Sequence, residues 1–303
     1  MAIKTQMQAS LKVSPYILPV NVLLQLIHLL KKSIFSRKFY QEINDKVLAK
    51  SSTVDQNLYF LCYFSLLVSS VLNNRYNILD FLRKQQWRML QLVKSGANGV
   101  GLDTSSAKLL NQPQPQPTPA SERKESKLAF HLKKINSYLA DVRIFNRLTD
   151  TIKYMPWLID EFHGWRSAQT AGGPPKLDRF VNFVQALNCV VLEAFENIGW
   201  LTDHDWIGTG DNAYWCIETY IWCCYVWGAY LVIEIVEILR RTPVSKWGDK
   251  SWQINLFKNV IQLPLVLHWS LRNGCLTPFW VGVCGCGASW WNFRDMWRSI
   301  DLS

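Results

Sequence analysis

Two kinds of apolar pattern alternate along this chain: long runs almost free of charge, and stripes that recur at helical spacing. The last and purest run, Leu276 to Trp291, holds sixteen residues without a charge, with Trp280, Trp290 and Trp291 near its ends. In front of it lies Val260 to Leu271, broken only by Gln262, Pro264, His268 and Ser270. The polar turn Arg272-Asn273-Gly274 joins the two. A spanning helix needs ~20 apolar residues at ~1.5 Å rise each, so either run alone is slightly short. Together they predict a helical hairpin dipped into a bilayer with tryptophans at headgroup level. A buried hairpin of a soluble helical domain fits the same pattern.

A second pair of arms, Phe180 to Leu201 and Tyr214 to Leu239, flanks an acidic turn carrying Asp203, Asp205 and Asp211. Between Arg179 and Arg240 there is no lysine or arginine. Bases outside both ends and acids at the tip predict a hairpin whose ends face the cytosol. Arg240, Arg241, Lys246 and Lys250 precede the last hairpin, Arg272 alone marks its turn, and Arg294 and Arg298 follow, which gives the same orientation. Glu193, Glu196, Glu234 and Glu237 interrupt the arms. A charge at the bilayer centre costs about 2.5–3.5 kcal/mol. These carboxylates must therefore face other helices, lie near the interface, or belong to arms resting on the membrane. The residues expected inside the bilayer are Trp222, Trp227, Leu263, Pro264, Trp269, Trp280, Gly282, Gly285 and Trp290.

Stripes dominate the first half. Val54 to Leu72 and Tyr76 to Lys94 predict helices separated at Asn73-Asn74. In the second, Leu79, Leu82, Met89, Leu90 and Val93 share a stripe, with Arg83, Lys84, Arg88 and Lys94 opposite. Such a helix lies on a membrane or a partner, or packs in a bundle with a solvated basic face. Lys127 to Trp157 is the best helix signal in the sequence, with Leu128, Leu132, Ile135, Leu139, Val142, Phe145 and Ile152 in line and Lys133, Lys134, Arg143, Arg147 and Lys153 largely off it. Pro156 is expected to end or bend it. The lipid-binding set is Leu79, Leu82, Arg83, Lys84, Arg88, Leu90, Leu132, Lys133, Lys134, Leu139, Arg143, Phe145 and Arg147. Tyr16 to Leu30, followed by Lys31 and Lys32 and lacking an A-x-A-like exit, reads as an amphipathic helix that is kept.

The organisation expected is an N-terminal amphipathic region (1–95), a disordered Pro/Gln-rich linker (96–126), a long basic amphipathic helix (127–165), a loop (166–178) and membrane-embedded hairpins (179–303). The fold class is all-α, a membrane-associated helical bundle.

Composition changes the picture in three ways. Hydrophobic residues reach 49% against 18% charged, and fifteen tryptophans suit surfaces with one wet and one apolar edge. A net charge of +10 suits an anionic partner, either a lipid leaflet or nucleic acid. Nucleic acid lacks a motif here: there is no zinc-finger spacing, RNP-like strand or helix-turn-helix signal. Eight cysteines without a C-x-x-C pair read as small apolar fillers rather than a disulfide or metal framework. Cys284, Cys286 and His268 form a weak zinc signal, and His204 in its acidic turn reads as a solvated loop residue. No G-x-S-x-G, H-E-x-x-H or glycine-rich cofactor fingerprint occurs. Neither catalysis nor a cofactor is expected.

Four segments resemble the peroxin-11 family. Residues 139–158 resemble its D-x-R-x-F-x-R-L segment through Asp141, Arg143, Phe145, Arg147 and Leu148. Residues 196–201 resemble its N-x-x-W-L segment through Asn197, Trp200 and Leu201. Residues 55–67 sit where the family has its first helix, with Gln56 and Asn57 where a charge is common. The end of the chain, through Leu263, Pro264, His268, Trp269, Gly274, Trp280, Gly282, Trp297 and Arg298, resembles the fungal C-type (gamma-like) branch. The resemblance implies a peroxisomal membrane protein that elongates the organelle before fission and controls its number and size. It also implies self-association or pairing with sibling members and recruitment of fission machinery. The residues themselves keep two other classes open: a multi-pass channel or transporter using the paired glutamates, and a soluble helical scaffold.

Overall fold

The computed structural model describes residues 36–97, 126–167, 173–208 and 210–301, with 116 and 119 in isolation, and no side chains over 90–97. The amphipathic segment expected at 16–30 and nearly all of the 96–126 linker lie outside the described residues. Among those described, all regular structure is helical.

The chain divides into two units. The smaller combines the N-terminal residues to Val54 with Asp295–Ser303. Its described part contains α1 (Arg37–Ile43), which continues into a π-helical turn over Asn44–Leu48. There Lys38 pairs with Asp301 at 2.8 Å, and Glu42 accepts from the Asp301 amide at 3.0 Å and from Lys46. The C-terminal end thus closes on the N-terminal helix, a pairing the linear division of the sequence into regions does not show.

The larger unit, 55–294, holds the helices that matter below. They are α2 (Ser51–Asn73), α3 (Arg75–Ala97), α4 (Lys127–Asn146), α5 (Asp150–Arg166), α6 (Lys176–Asp203), α7 (Asn212–Arg241), α8 (Lys250–Val260), α9 (Leu263–Trp269) and α10 (Pro278–Arg298). The first few residues of α2 and the last of α10 belong to the smaller unit. Asn74 alone separates α2 from α3, its amide reaching back to the Ser70 carbonyl at 2.9 Å.

α6 and α7 form an antiparallel hairpin, with α5 folded along α6. α7, thirty residues and so ~45 Å long, is the one helix among the described residues both long and apolar enough to cross a bilayer. α2 and α4 run antiparallel in a seven-residue register: Asp55 meets Arg143, Cys62 meets Asn136, and Ser69 meets the Ala129 carbonyl. Seven residues is nearly two helical turns, so this seam stays on one face of both helices.

Two expectations are corrected. The helix expected to run from 127 to Pro156 breaks earlier, at Arg147–Thr149, and Pro156 lies inside α5. The cause is tertiary: Asn197 of α6 donates to the Leu148 carbonyl at 3.0 Å, fixing the corner where the chain turns. The apolar run 260–271 is likewise split at Ile261–Gln262, leaving α9 only seven residues, or ~10 Å. Pro264 stands in the first turn of α9, where its missing N–H costs nothing. That hairpin has one long arm, α10, and one broken arm.

The turn joining α9 to α10 needs its glycine. Gly274 has φ +62°, and a Cβ there would meet the His268 ring at 2.0 Å. His268 Nδ1 accepts from the amides of Cys275 (2.8 Å) and Leu276 (3.0 Å), so the imidazole closes the turn. Further along α10, a Cβ on Gly282 would lie 2.9 Å from the Leu67 backbone, and one on Gly285 2.1 Å from the Tyr63 ring. Small residues let α10 and α2 touch backbone to backbone. Replacing Gly282 by Ala should lower stability by about 1–3 kcal/mol, because the obstacle is main chain and cannot rotate away. Gly248→Ala, in open space, serves as the control. Equal thermal midpoints for the two variants in detergent would contradict this packing.

Candidate functional site

The candidate surface is apolar on the outside as well as within. On α7 the outward side chains include Trp215, Trp222 (55% exposed), Tyr225, Val232 and Val236, while Cys216, Ile221, Cys223, Leu231, Glu237 and Ile238 face inward. Trp280 and Trp290 stand out from α10, while Gly282, Cys284, Gly285, Ala288 and Ser289 are buried. α4 repeats the pattern. Leu128, Phe130, Ile135, Tyr138 and Phe145 are exposed, Leu132 and Leu139 half-buried, and the face against α2 is Ala129, Asn136 and Arg143. α2 presents Ser65, Ser69, Ser70 and Asn57 inward and Leu61 and Phe64 outward.

Of the residues expected in the bilayer, Trp222, Trp269, Trp280 and Trp290 are exposed. Leu263 and Pro264 are half-buried, Gly282 and Gly285 are packing contacts, and Trp227 lies against the cluster of Leu265, Val281 and Cys284. Of the lipid-binding set, Leu79, Leu82, Arg83, Lys84 and Arg88 are exposed on α3, and Lys133 and Lys134 on α4. The side chain of Leu90 lies outside the described residues.

Arg143 and Arg147 differ from expectation: they turn into the protein. Arg143 pairs with Asp55 at 3.0 Å and stacks over Tyr59 at 4.2 Å. Arg147 reaches Glu196 at 2.5 Å and Glu193 at 3.9 Å. Burial alone would lower the Arg147 pKa, and the carboxylates of Glu196 and Glu193 more than offset it, leaving the guanidinium firmly charged.

Around this pair the two motif segments meet. Trp200 donates from Nε1 to Asp141 at 2.7 Å, Asn197 donates to the Leu148 carbonyl, and Phe145 packs at 5.5 Å from the Trp200 ring. Asp141, Arg147 and Leu148 of one segment thus answer Trp200, Glu196 and Asn197 of the other. His204 is exposed in the turn after α6, as expected, and there it stacks on Trp200 at 3.9 Å and faces Asp141 at 3.3 Å. The sequence contained the signal: Glu193, Glu196, Asn197, Trp200 and His204 follow i, i+3, i+4, i+7 and i+11, one face of a helix.

The remaining glutamates are also engaged. Glu234 accepts from Gln185 at 3.2 Å, and Glu237 holds Arg240 and Arg241 at the end of α7. Beside the α4–α6 contact lies a cavity of about 540 Å³, walled by α2, α4, α6, α7 and α9. The weak zinc signal has no counterpart: no His/Cys/Asp/Glu group among the described residues could hold a metal, and Cys284 is buried beside Leu265 and Val281. No protein-family model matches the chain, and neither a curated protein nor a solved structure is detectably similar to it.

Removing Arg147 would leave two carboxylates facing each other with little water. Arg147→Met should therefore cost about 3–5 kcal/mol, and adding Glu193→Gln and Glu196→Gln should recover most of it. Lys153→Met, at an exposed pair with Asp150, should cost less than about 1 kcal/mol. Similar losses for Arg147→Met and Lys153→Met in detergent unfolding would show that the buried pair is not what holds α4 to α6.

Proposed function

We propose that this chain is a peroxisomal membrane protein that bends and elongates its membrane ahead of fission, and so sets organelle number and size. The exposed apolar side of α7, a helix of membrane-crossing length, is the observation that carries the membrane part. Its five outward side chains are each about half exposed, so at about 1.5–3 kcal/mol for full burial they represent roughly 5 kcal/mol forgone in water. That reaches the lower end of the whole stability of a domain, about 5–15 kcal/mol. In a bilayer the same side chains are solvated by lipid, and the small and polar residues between helices supply the contacts that hydrophobic burial supplies in water.

Bending is assigned to α3, with α4 beside it. α3 exposes Ile78, Leu79, Phe81, Leu82 and Met89 together with Arg83, Lys84 and Arg88. Cations near an anionic surface contribute ~1 kcal/mol apiece, which holds the helix flat while its leucines spread the headgroups of one leaflet. Arg143 and Arg147 are removed from this role, and Lys133 and Lys134 keep it. Peroxisomal residence, oligomers with siblings and recruitment of fission proteins rest on the family resemblance of the two motif segments, now joined by hydrogen bonds and an ion pair. Each of the glutamates that the transport alternative would use, Glu193, Glu196, Glu234 and Glu237, has a protein partner, which supports bending over transport.

Full-length protein reconstituted into anionic liposomes should draw them into tubules. Leu82→Glu should abolish tubulation while leaving α7 inserted. In cells a fluorescent fusion should ring peroxisomes, and loss of the gene should change their number and size. Release of the chain by alkaline carbonate as a soluble monomer, or tubulation untouched by Leu82→Glu, would overturn the proposal.

A further inference from the structure

The cavity beside the α4–α6 contact has a chemistry that membrane bending does not use. One wall is apolar and aromatic, with Tyr63, Leu192 and Trp227, and Trp269 half exposed among the lining residues. Another is charged, and its signs do not balance. Arg143 and Arg147 line it, but their charges are already met by Asp55 and by Glu193 and Glu196. That leaves two carboxylates on the same wall with no arginine or lysine to match them: Asp141, which accepts from Trp200 and faces His204, and Asp203. Asp203 is the last residue of α6, where the helix dipole adds to that potential.

One buried acceptor on the lining points the same way: Glu196 Oε2 accepts no hydrogen bond, and the Glu196 side chain is 14% exposed. One buried donor, Arg147 Nε, stands against it. Aromatic rings add to the attraction for a cation, by ~0.5–2 kcal/mol where water is excluded.

We infer that this cavity binds an alkylammonium group, its cation toward Glu196, Asp141 and Asp203 and its apolar portion against Tyr63, Trp227 and Trp269. The ammonium can belong to a phospholipid headgroup or to a free amine. The site depends on the cavity and its charges, and stands whether or not α3 bends membranes.

Purified full-length protein in maltoside micelles, examined by native mass spectrometry, tests this with three probes. Dioctanoyl phosphatidylethanolamine and dioctanoyl phosphatidylglycerol share tails and phosphate and differ in the ammonium; ethanolamine carries the ammonium alone. The ethanolamine lipid should bind about tenfold more tightly than the glycerol lipid. Asp203→Asn, at an exposed position, and Glu196→Gln should each weaken the ethanolamine lipid about fivefold and leave the glycerol lipid unchanged, with thermal midpoints read alongside to confirm folding. Ethanolamine competing as well as the lipid would assign the site to a free amine; failure to compete would assign it to the headgroup. Equal affinity for the two lipids, or an Asp203→Asn variant that binds like the parent, would overturn the inference.

Discussion

Arg147 holds two carboxylates of α6 from a position at the end of α4, and much of the larger unit depends on that contact. It fixes where α4 stops, because the helix must end for Leu148 to offer its carbonyl to Asn197. It brings Asp141 within reach of Trp200 and so positions His204. It also makes the polar face of α6 tolerable, since Glu193 and Glu196 would otherwise repel each other in a poorly hydrated interior. The neighbouring cavity takes its sign from Asp141 and Asp203, which the two arginines leave unmatched. Structure and helix length here have a common origin.

In water, an interior that mixes Ile221, Leu231, Leu265 and Val281 with serine, glycine, cysteine and asparagine, under an outer surface of tryptophan and leucine, leaves apolar area where the solvent rejects it. Lipid reverses the preference at the outer surface but supplies no hydrophobic drive between helices. Association must then come from close backbone approach and from polar contacts that lipid cannot offer. Both are present: Gly282 and Gly285 of α10 against Leu67 and Tyr63, and Ser69, Asn136 and Arg143 along the α2–α4 seam. The two devices are independent in sequence, and both are of the kind that serves between helices in lipid.

Helix content was legible in the sequence because long stripes and runs are the strongest periodic signals, and α2, α3, α6 and α7 fall within a few residues of the expected spans. The boundaries that were missed, at Arg147 and at Ile261, are set by contacts distant in sequence and by no local breaker. Pro156 was misleading for the complementary reason: a proline announces a break, yet α5 starts only six residues before it and accommodates it. Direction was the harder quantity. Periodicity identified a leucine stripe and a basic face on α4, and the ordinary assumption that basic means outward placed Arg143 and Arg147 on lipid. The glutamates that claim them lie 46 and 49 residues further on for Arg147, while Asp55 lies 88 residues before Arg143, so no local pattern marked the pairing.

That misplacement sharpens the division of labour proposed for the two amphipathic helices. A helix whose basic residues are bonded to its own protein cannot also lend them to headgroups, so α4 is held in place by the bundle and contributes only Lys133, Lys134 and its outer apolar edge. α3 keeps Arg83, Lys84 and Arg88 at the surface and follows α2 directly after Asn74. A wedge inserted by an untethered peptide can leave whenever its modest binding energy is exceeded. Joined by one residue to α2, whose face is locked to α4 and α10, α3 is returned to the same patch of leaflet each time it detaches. Tethering of this kind raises the effective concentration of the helix at the membrane without any new contact. Shallow insertion can then be sustained at one site, which is the condition under which a local expansion of one leaflet becomes curvature.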